Sequence, residues 1–255
     1  MLIKSEHNGH ILEHDEEKHI YKLDGKTLDG VTTILKHGYP TSQRIIDWQI
    51  REGVKWALNV RDLELGDDDW IVKESPNAYR KALDEAGDIG SIVHDYAYKV
   101  EKGLSVELSK DEIIQRCCKQ FDEWRESNKD EIIALEELVC STSLKYAGRF
   151  DRLCMRNGRV VLSDYKTSSN FYITQFLQMA AYAIAIEEWI GMEVEDIEIV
   201  RFDKKTGKLS TRNLTQLANT IGIKNDTCMK RLKKQFLNCF DTYHFKQKMD
   251  KYIRK

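Results

Sequence analysis

The chain has 255 residues, 41% hydrophobic and 32% charged, with a formal net charge of −2. That leaves room for a sizeable core, is too apolar for a disordered chain, and gives no whole-molecule pull toward nucleic acid, so any such contact must be local. No apolar run approaches the roughly 18 residues of a membrane span. The opening Met-Leu-Ile-Lys-Ser-Glu-His has neither the apolar stretch of a secretory leader nor the arginine-rich, acid-poor character of a transit peptide, so a cytoplasmic protein is expected.

In chain order, His10 to Glu13 and His19 to Leu23 read as short strands, with Asp24-Gly25 as a turn after the second. Val31 to Leu35 opens a helix with a hydroxyl residue placed to cap it. A second helical pattern runs from Gln43 to about Val60. Residues 62 to 74, with their Gly-Asp-Asp-Asp run, read as an acidic loop. Pro76-Asn77 restarts a helix toward Gly87, and Gly87 begins another that carries Gly90 and His94 one turn apart. A small residue there lets a neighbouring backbone approach the imidazole. Leu108 to Asn128 is an amphipathic helix.

Ile132 to Val139 is the first clearly strand-like run, interrupted by Glu136 and Glu137, one of which must face the covered side or an edge. It feeds the stretch from Tyr146 to Lys166, where Asn157-Gly158 is a strong hairpin signal because both central positions of a type I′ turn need φ > 0. Counting outward, Arg156 opposes Arg159, Leu153 opposes Leu162, and Asp151 opposes Asp164. Opposed residues share a face at roughly 4.5–5.5 Å between Cβ atoms, and like charges there are destabilising. That face is otherwise apolar, carrying Leu153, Met155, Val160 and Leu162. A divalent cation with carboxylate ligands is the simplest way to offset the repulsion. Lys166 returns to the same face by alternation, where an ammonium can orient a water; a solvated salt bridge is the plainer alternative.

After Lys166 a polar loop leads to a helix from Phe171 to Ile190, with Gln175, Gln178 and Tyr182 on one stripe. Glu195 to Phe202 and Lys208 to Arg212 read as two more strands. From Lys224 onward ten basic residues stand against three acidic ones, with aromatic residues interleaved. That is a helix with a solvated basic face or a nucleic-acid contact surface. The six cysteines show no C-x-x-C spacing, which fits free thiols in a reducing compartment. The order of elements implies an α/β (α+β) sheet core with a helical N-terminal region. A single domain over 1–255 is expected, with a substrate-handling part over 1–130, a sheet core over 131–214 and basic helices over 215–255.

G-R-F-D at Gly148 to Asp151 followed by D-Y-K at Asp164 to Lys166 resembles the metal-binding core of the PD-(D/E)XK nucleases. G-D-I-G-S-I-V-H ending at His94 and Q-M-A-A-Y from Gln178 to Tyr182 are similar to further motifs of the RecB-like branch. D-G-V-T-T-I-L resembles the start of phage exonucleases and of the mitochondrial genome maintenance exonuclease. The resemblance implies a restriction-endonuclease-like mixed sheet flanked by helices. It implies Asp151, Asp164 and Lys166 as catalytic residues, and His94, Asp151, Asp164 and the Tyr165 carbonyl as ligands of Mg²⁺ or Mn²⁺. Gln178 and Tyr182 would contact substrate, and Glu136 matches an acidic position ambiguously with Glu137. The cysteine cluster of iron–sulfur members has no counterpart, so no such cluster is expected. The implied activity is a DNA exonuclease acting on single-stranded or end-frayed DNA in a bacterial or phage-infected cell, in replication, recombination, repair or phage DNA metabolism. The alternatives are a structure-selective or CRISPR-adaptation-type endonuclease and a non-catalytic DNA-binding recombination partner.

Overall fold

The computed structural model describes residues 1–254, apart from the side chains of residues 81–88. Its first strands form a meander: β1 (Leu2–His7), β2 (His10–Asp15), β3 (Ile20–Leu23) and β4 (Lys26–Gly30). Asn8-Gly9 and Asp24-Gly25 all have positive φ, from 49° to 77°, so two-residue turns join β1 to β2 and β3 to β4. Both β1 and β4 lie outside the expected hairpin. Helix α1 (Val31–Gly38) follows at once. Its N-cap is Gly30 with no side-chain bond, so the expected hydroxyl cap is replaced by a bare backbone end.

Contact density divides the chain into two units, residues 1–39 with 93–255, and residues 40–92. In the second unit, α2 (Gln43–Asp62) is capped by Ser42, and α3 (Asp68–Glu74) by Asp67, whose carboxylate accepts from Trp70 N. The acidic stretch is therefore helical: Asp68 and Asp69 occupy the first turn, where the helix dipole favours them. A 3₁₀ turn over Ser75–Asn77 leads into α4 (Ala78–Glu101). The expected break at Gly87 falls where side chains lie outside the described residues, and the helix as assigned runs through it. Ile50, Val54, Leu58, Ile71, Val72 and Tyr79 help to line a groove of about 700 Å³ in this unit.

In the first unit, α5 (Glu112–Asn128) starts at its Asp111 cap, four residues later than expected. The sheet continues with β5 (Glu131–Ser141), β6 (Tyr146–Arg156) and β7 (Arg159–Thr167); α6 (Ile173–Trp189) then leads to β8 (Asp196–Phe202) and β9 (Leu209–Asn213). α7 (Leu214–Thr220) and α8 (Asn225–Ile253) close the chain. The strand order is β1-β2-β3-β4-β6-β7-β8-β9, with β5 paired to β6; β4–β6 and β7–β8 are parallel and the other pairs antiparallel. This is a mixed sheet flanked by helices. The core is formed by side chains of β5 to β8 with the nearly all-apolar α6, whose Leu177, Met179, Ala180, Ala183 and Ile186 are fully buried, and with the inner face of α8. All six cysteines are unpaired and buried. No helix among the described residues is long and apolar enough to cross a membrane.

Candidate active site

The Asn157-Gly158 turn has φ of 51° and 75°, and the register it sets is the expected one: Arg156 opposite Arg159, Leu153 opposite Leu162 and Arg152 opposite Ser163. There the pairing stops. One edge of β6 is covered by β5 from Tyr146 to Met155. Along the other edge β4 pairs only at Tyr146 and Ala147, and β7 only from Arg152 onward. Residues 148–151 thus border a notch between strands. Asp151 closes its end with its side chain, since Oδ2 accepts from Tyr165 N at 2.6 Å in place of a ladder bond.

The expected pair of Asp151 with Asp164 lies one position beyond the ladder, and Asp151 meets Tyr165 N there instead. On the β5 side the register runs Leu135 to Arg152 and Glu137 to Phe150, so the position opposite Asp151 is Glu136. Two acids therefore stand abreast on β5 and β6, with Asp164 on β7 beyond them. Glu136 has φ of 52°, the left-handed region, which a glutamate inside a strand adopts only against a strain of about 1–3 kcal/mol. Of the two glutamates, it is Glu136 whose carboxylate lies near His94 and Asp151. His94, from α4, reaches into the same place: its Nε2 donates to the Tyr165 carbonyl at 2.9 Å, and its Nδ1 lies 3.6 Å from Asp151 Oδ2 and 3.9 Å from Glu136 Oε1.

Ligand atoms of His94, Glu136 and Asp151 all lie within 4.8 Å of one another. One imidazole nitrogen and two carboxylates are a donor set suited to Mn²⁺ or Mg²⁺, so these residues fit a divalent ion. Asp164 is not part of that trio; its Oδ2 is in contact with the Lys166 ammonium. The Tyr165 carbonyl is engaged by His94. Burial disfavours the charged imidazole of His94, but the Asp151 carboxylate and the Glu136 hydrogen bond outweigh it and raise its pKa to about 9. Burial also raises Asp164 above the usual carboxylate range, with Asp151 adding to it and Lys166 opposing. Lys166 stays charged despite burial because Asp164 and Asp151 face it. Crowded carboxylates and compensating cations make a site ready to exchange a proton for a metal ion.

Gln178 and Tyr182 pair with each other, Gln178 Nε2 donating to the Tyr182 hydroxyl at 2.9 Å. Tyr182 abuts Gly148 at the notch. Gln175, on the same stripe, instead accepts from Tyr172 N and steadies the start of α6. Arg149 and Arg152 had been given no role from the sequence. Arg149 holds Glu136; Arg152 is 1% exposed and pairs with Glu101 and Asp130, stacked over Trp124. A cation set directly against an apolar strand run, as in Asp151-Arg152-Leu153-Cys154, was the available signal for a buried pair. In α8 the aromatic residues divide: Phe236 and Tyr243 are buried, whereas Phe245 and Tyr252 are 65% and 77% exposed.

No curated protein matches the chain. Among solved structures, "Crystal structure of SSO0001" is similar at 11% identity with a TM-score of 0.26, covering 58% of this chain and 73% of that one. The family model described as "PD-(D/E)XK nuclease superfamily" matches residues 106–236. The matched span takes in Glu136, Asp151, Asp164, Lys166, Gln178 and Tyr182, while His94 precedes it. Because the match extends over just over half of the sequence, with the notch and its acids inside it, this chain belongs to the PD-(D/E)XK nuclease superfamily.

Proposed function

We propose that the protein is a metal-dependent DNA exonuclease of the RecB-like branch, hydrolysing phosphodiester bonds of single-stranded or end-frayed DNA in replication, recombination, repair or phage DNA metabolism. The observation that carries the nuclease reading is the meeting of His94, Glu136 and Asp151 around one point, with the Asp164–Lys166 pair on the adjoining strand. His94, Glu136 and Asp151 would hold Mg²⁺ or Mn²⁺, joined by Asp164; the Tyr165 carbonyl is taken up by His94 Nε2 on the other side of the ring. When bound, such an ion polarises a phosphoryl oxygen and lowers the pKa of water.

The remaining work belongs to the chain. Lys166, oriented by Asp164, holds the attacking water in line with the scissile phosphorus and balances charge that gathers on the phosphoryl oxygens. A P–O bond to that water forms as the bond to the leaving sugar oxygen breaks, the water's proton passing to solvent and the leaving oxygen taking a proton from solvent water. Asp151, pinned by Tyr165 N, and His94, pinned by the Tyr165 carbonyl, keep the site in place before substrate arrives. Tyr182 is buried against Gly148 at the notch and bound by Gln178, so the two would orient the site rather than the nucleic-acid backbone. The presence of His94 on a helix that precedes β5, β6 and β7 supports the RecB-like branch.

The test is cleavage of end-labelled single-stranded, duplex and circular DNA with Mg²⁺ or Mn²⁺. Lys166→Ala and Asp164→Ala should each lose on the order of 10²–10⁴ in rate, and chelation should abolish cleavage. Equal cleavage by wild type and both variants would sink the nuclease assignment. Circular DNA cut as fast as linear DNA would remove the exonuclease reading alone.

A further inference from the structure

Glu136 is held in its left-handed conformation by one side chain. Arg149 Nε lies 3.1 Å from the Glu136 carbonyl oxygen and 2.9 Å from Glu136 Oε2, so a single N–H ties the residue's main chain to its own carboxylate. The other carboxylate oxygen, Oε1, faces His94. Arg149 is itself anchored from outside, its Nη1 donating at 2.9 Å to Oε1 of Glu16, in the turn between β2 and β3. The backbone of Glu16 is tied down in turn, its N–H donating to the Met1 carbonyl at 3.0 Å. A line of side chains therefore runs from the N-terminal meander to the acid cluster, Glu16 to Arg149 to Glu136. Its last member divides its oxygens between an arginine and the site.

From this arrangement we propose that Arg149, anchored by Glu16, is the positioning residue that turns Glu136 into a cation ligand. The inference rests on the metal-site reading above and concerns which residues build that site. Leu135 and Glu137 on either side are paired to β6, but it is Arg149 that binds both the carbonyl and the carboxylate of Glu136 itself; without it the residue would relax from φ of 52° and swing its carboxylate away from His94 and Asp151. Groups that orient metal-binding side chains typically alter affinity by about ten- to a hundredfold.

The proposal reverses the sign that charge alone would give. An arginine beside a cation site repels the cation, so a purely electrostatic Arg149 predicts that Arg149→Gln binds metal more tightly. Positioning predicts weaker binding. Mn²⁺ affinity would be measured by calorimetry on the full chain without DNA, with circular dichroism and melting to confirm the fold. Arg149→Gln should bind about ten- to a hundredfold more weakly. Arg149→Lys, which keeps the charge but cannot span the carbonyl, the carboxylate and Glu16, should also weaken binding, which covers the case in which Arg149→Gln fails to fold. In a Glu136→Gln background the Arg149→Gln change should add no further loss, because Arg149 acts through Glu136. Wild-type or tighter binding by either Arg149 variant, with Asp151→Asn impaired, overturns the positioning role and leaves the metal site standing. Undiminished binding by Asp151→Asn overturns both.

Discussion

Gly148 stands where β6 loses its neighbour, and the space its side chain would take is occupied by Tyr182. A Cβ there would lie 2.4 Å from Tyr182 Cε1, and the ring, 4% exposed and hydrogen-bonded to Gln178, has little room to yield. Gly148→Ala is therefore expected to destabilise the fold by about 1–3 kcal/mol, read as a lower urea midpoint with an unchanged slope. A variant as stable as wild type would show that the ring moves freely. At this scale much of the site was legible. Asn157-Gly158 is local chemistry, and counting from it alone gave the observed register as far as Arg152 and Ser163. Glu136 could not be separated from Glu137 in the same way, because alternation assumes an unbroken strand. The choice was made by Arg149 and by His94, the latter on a helix far earlier in the chain.

Helix α1 meets α8 at Gly38. A Cβ at Gly38 would fall 2.1 Å from the Cys239 carbonyl oxygen, a backbone atom inside a helix. Tyr243 and Lys246 of α8 fasten the same contact, the first to Asp29 at 2.8 Å and the second to the His37 carbonyl at 3.1 Å. Gly38→Ala must push two helices apart, whereas Gly148→Ala displaces a ring, so Gly38→Ala should be the more destabilising of the two. Thermal melts of both variants compare them directly, and the reverse order would refute the backbone contact. Among the elements, those with strong internal signals were foreseen to within a few residues, as with α2, α6, β8 and α8. The acidic stretch at α3 was not. Its composition resembles a loop, yet Asp67 as cap and two acids in the first turn favour a helix.

On the scale of the whole molecule, the sheet is tied to the end of α4 by a largely buried cluster of charges. Arg152 donates to Glu101 at the end of α4 and to Asp130, while Arg156 joins Asp130 to Glu198 of β8. The side chains of Arg152, Asp130 and Glu101 are 1%, 0% and 4% exposed. Arg152→Met would leave Glu101 without its partner and is expected to cost about 3–5 kcal/mol in a denaturation experiment. A neutral result would mean that water reaches the cluster. Burial alone would raise the Asp130 pKa, but hydrogen bonds from Arg156 and Arg152 outweigh it and hold the pKa low. A carboxylate depressed in the folded state adds stability above its unfolded pKa of about 4 and loses it as pH falls through the folded value. The cost of Arg152→Met should therefore shrink below about pH 4, and a pH-independent cost would contradict the linkage.

By itself the sequence determined what is decided within a few residues: the turn type at Asn157-Gly158, the strand register that follows from it, and the nearness of Lys166 to Asp164. Only the tertiary structure decided the third acid, its arginine, the position of His94 over the Tyr165 carbonyl and the burial of Arg152. The reason is physical. Turns and registers follow from backbone dihedral preferences carried by adjacent residues, whereas an ion pair or a strained φ persists only where distant segments surround it and offset its cost.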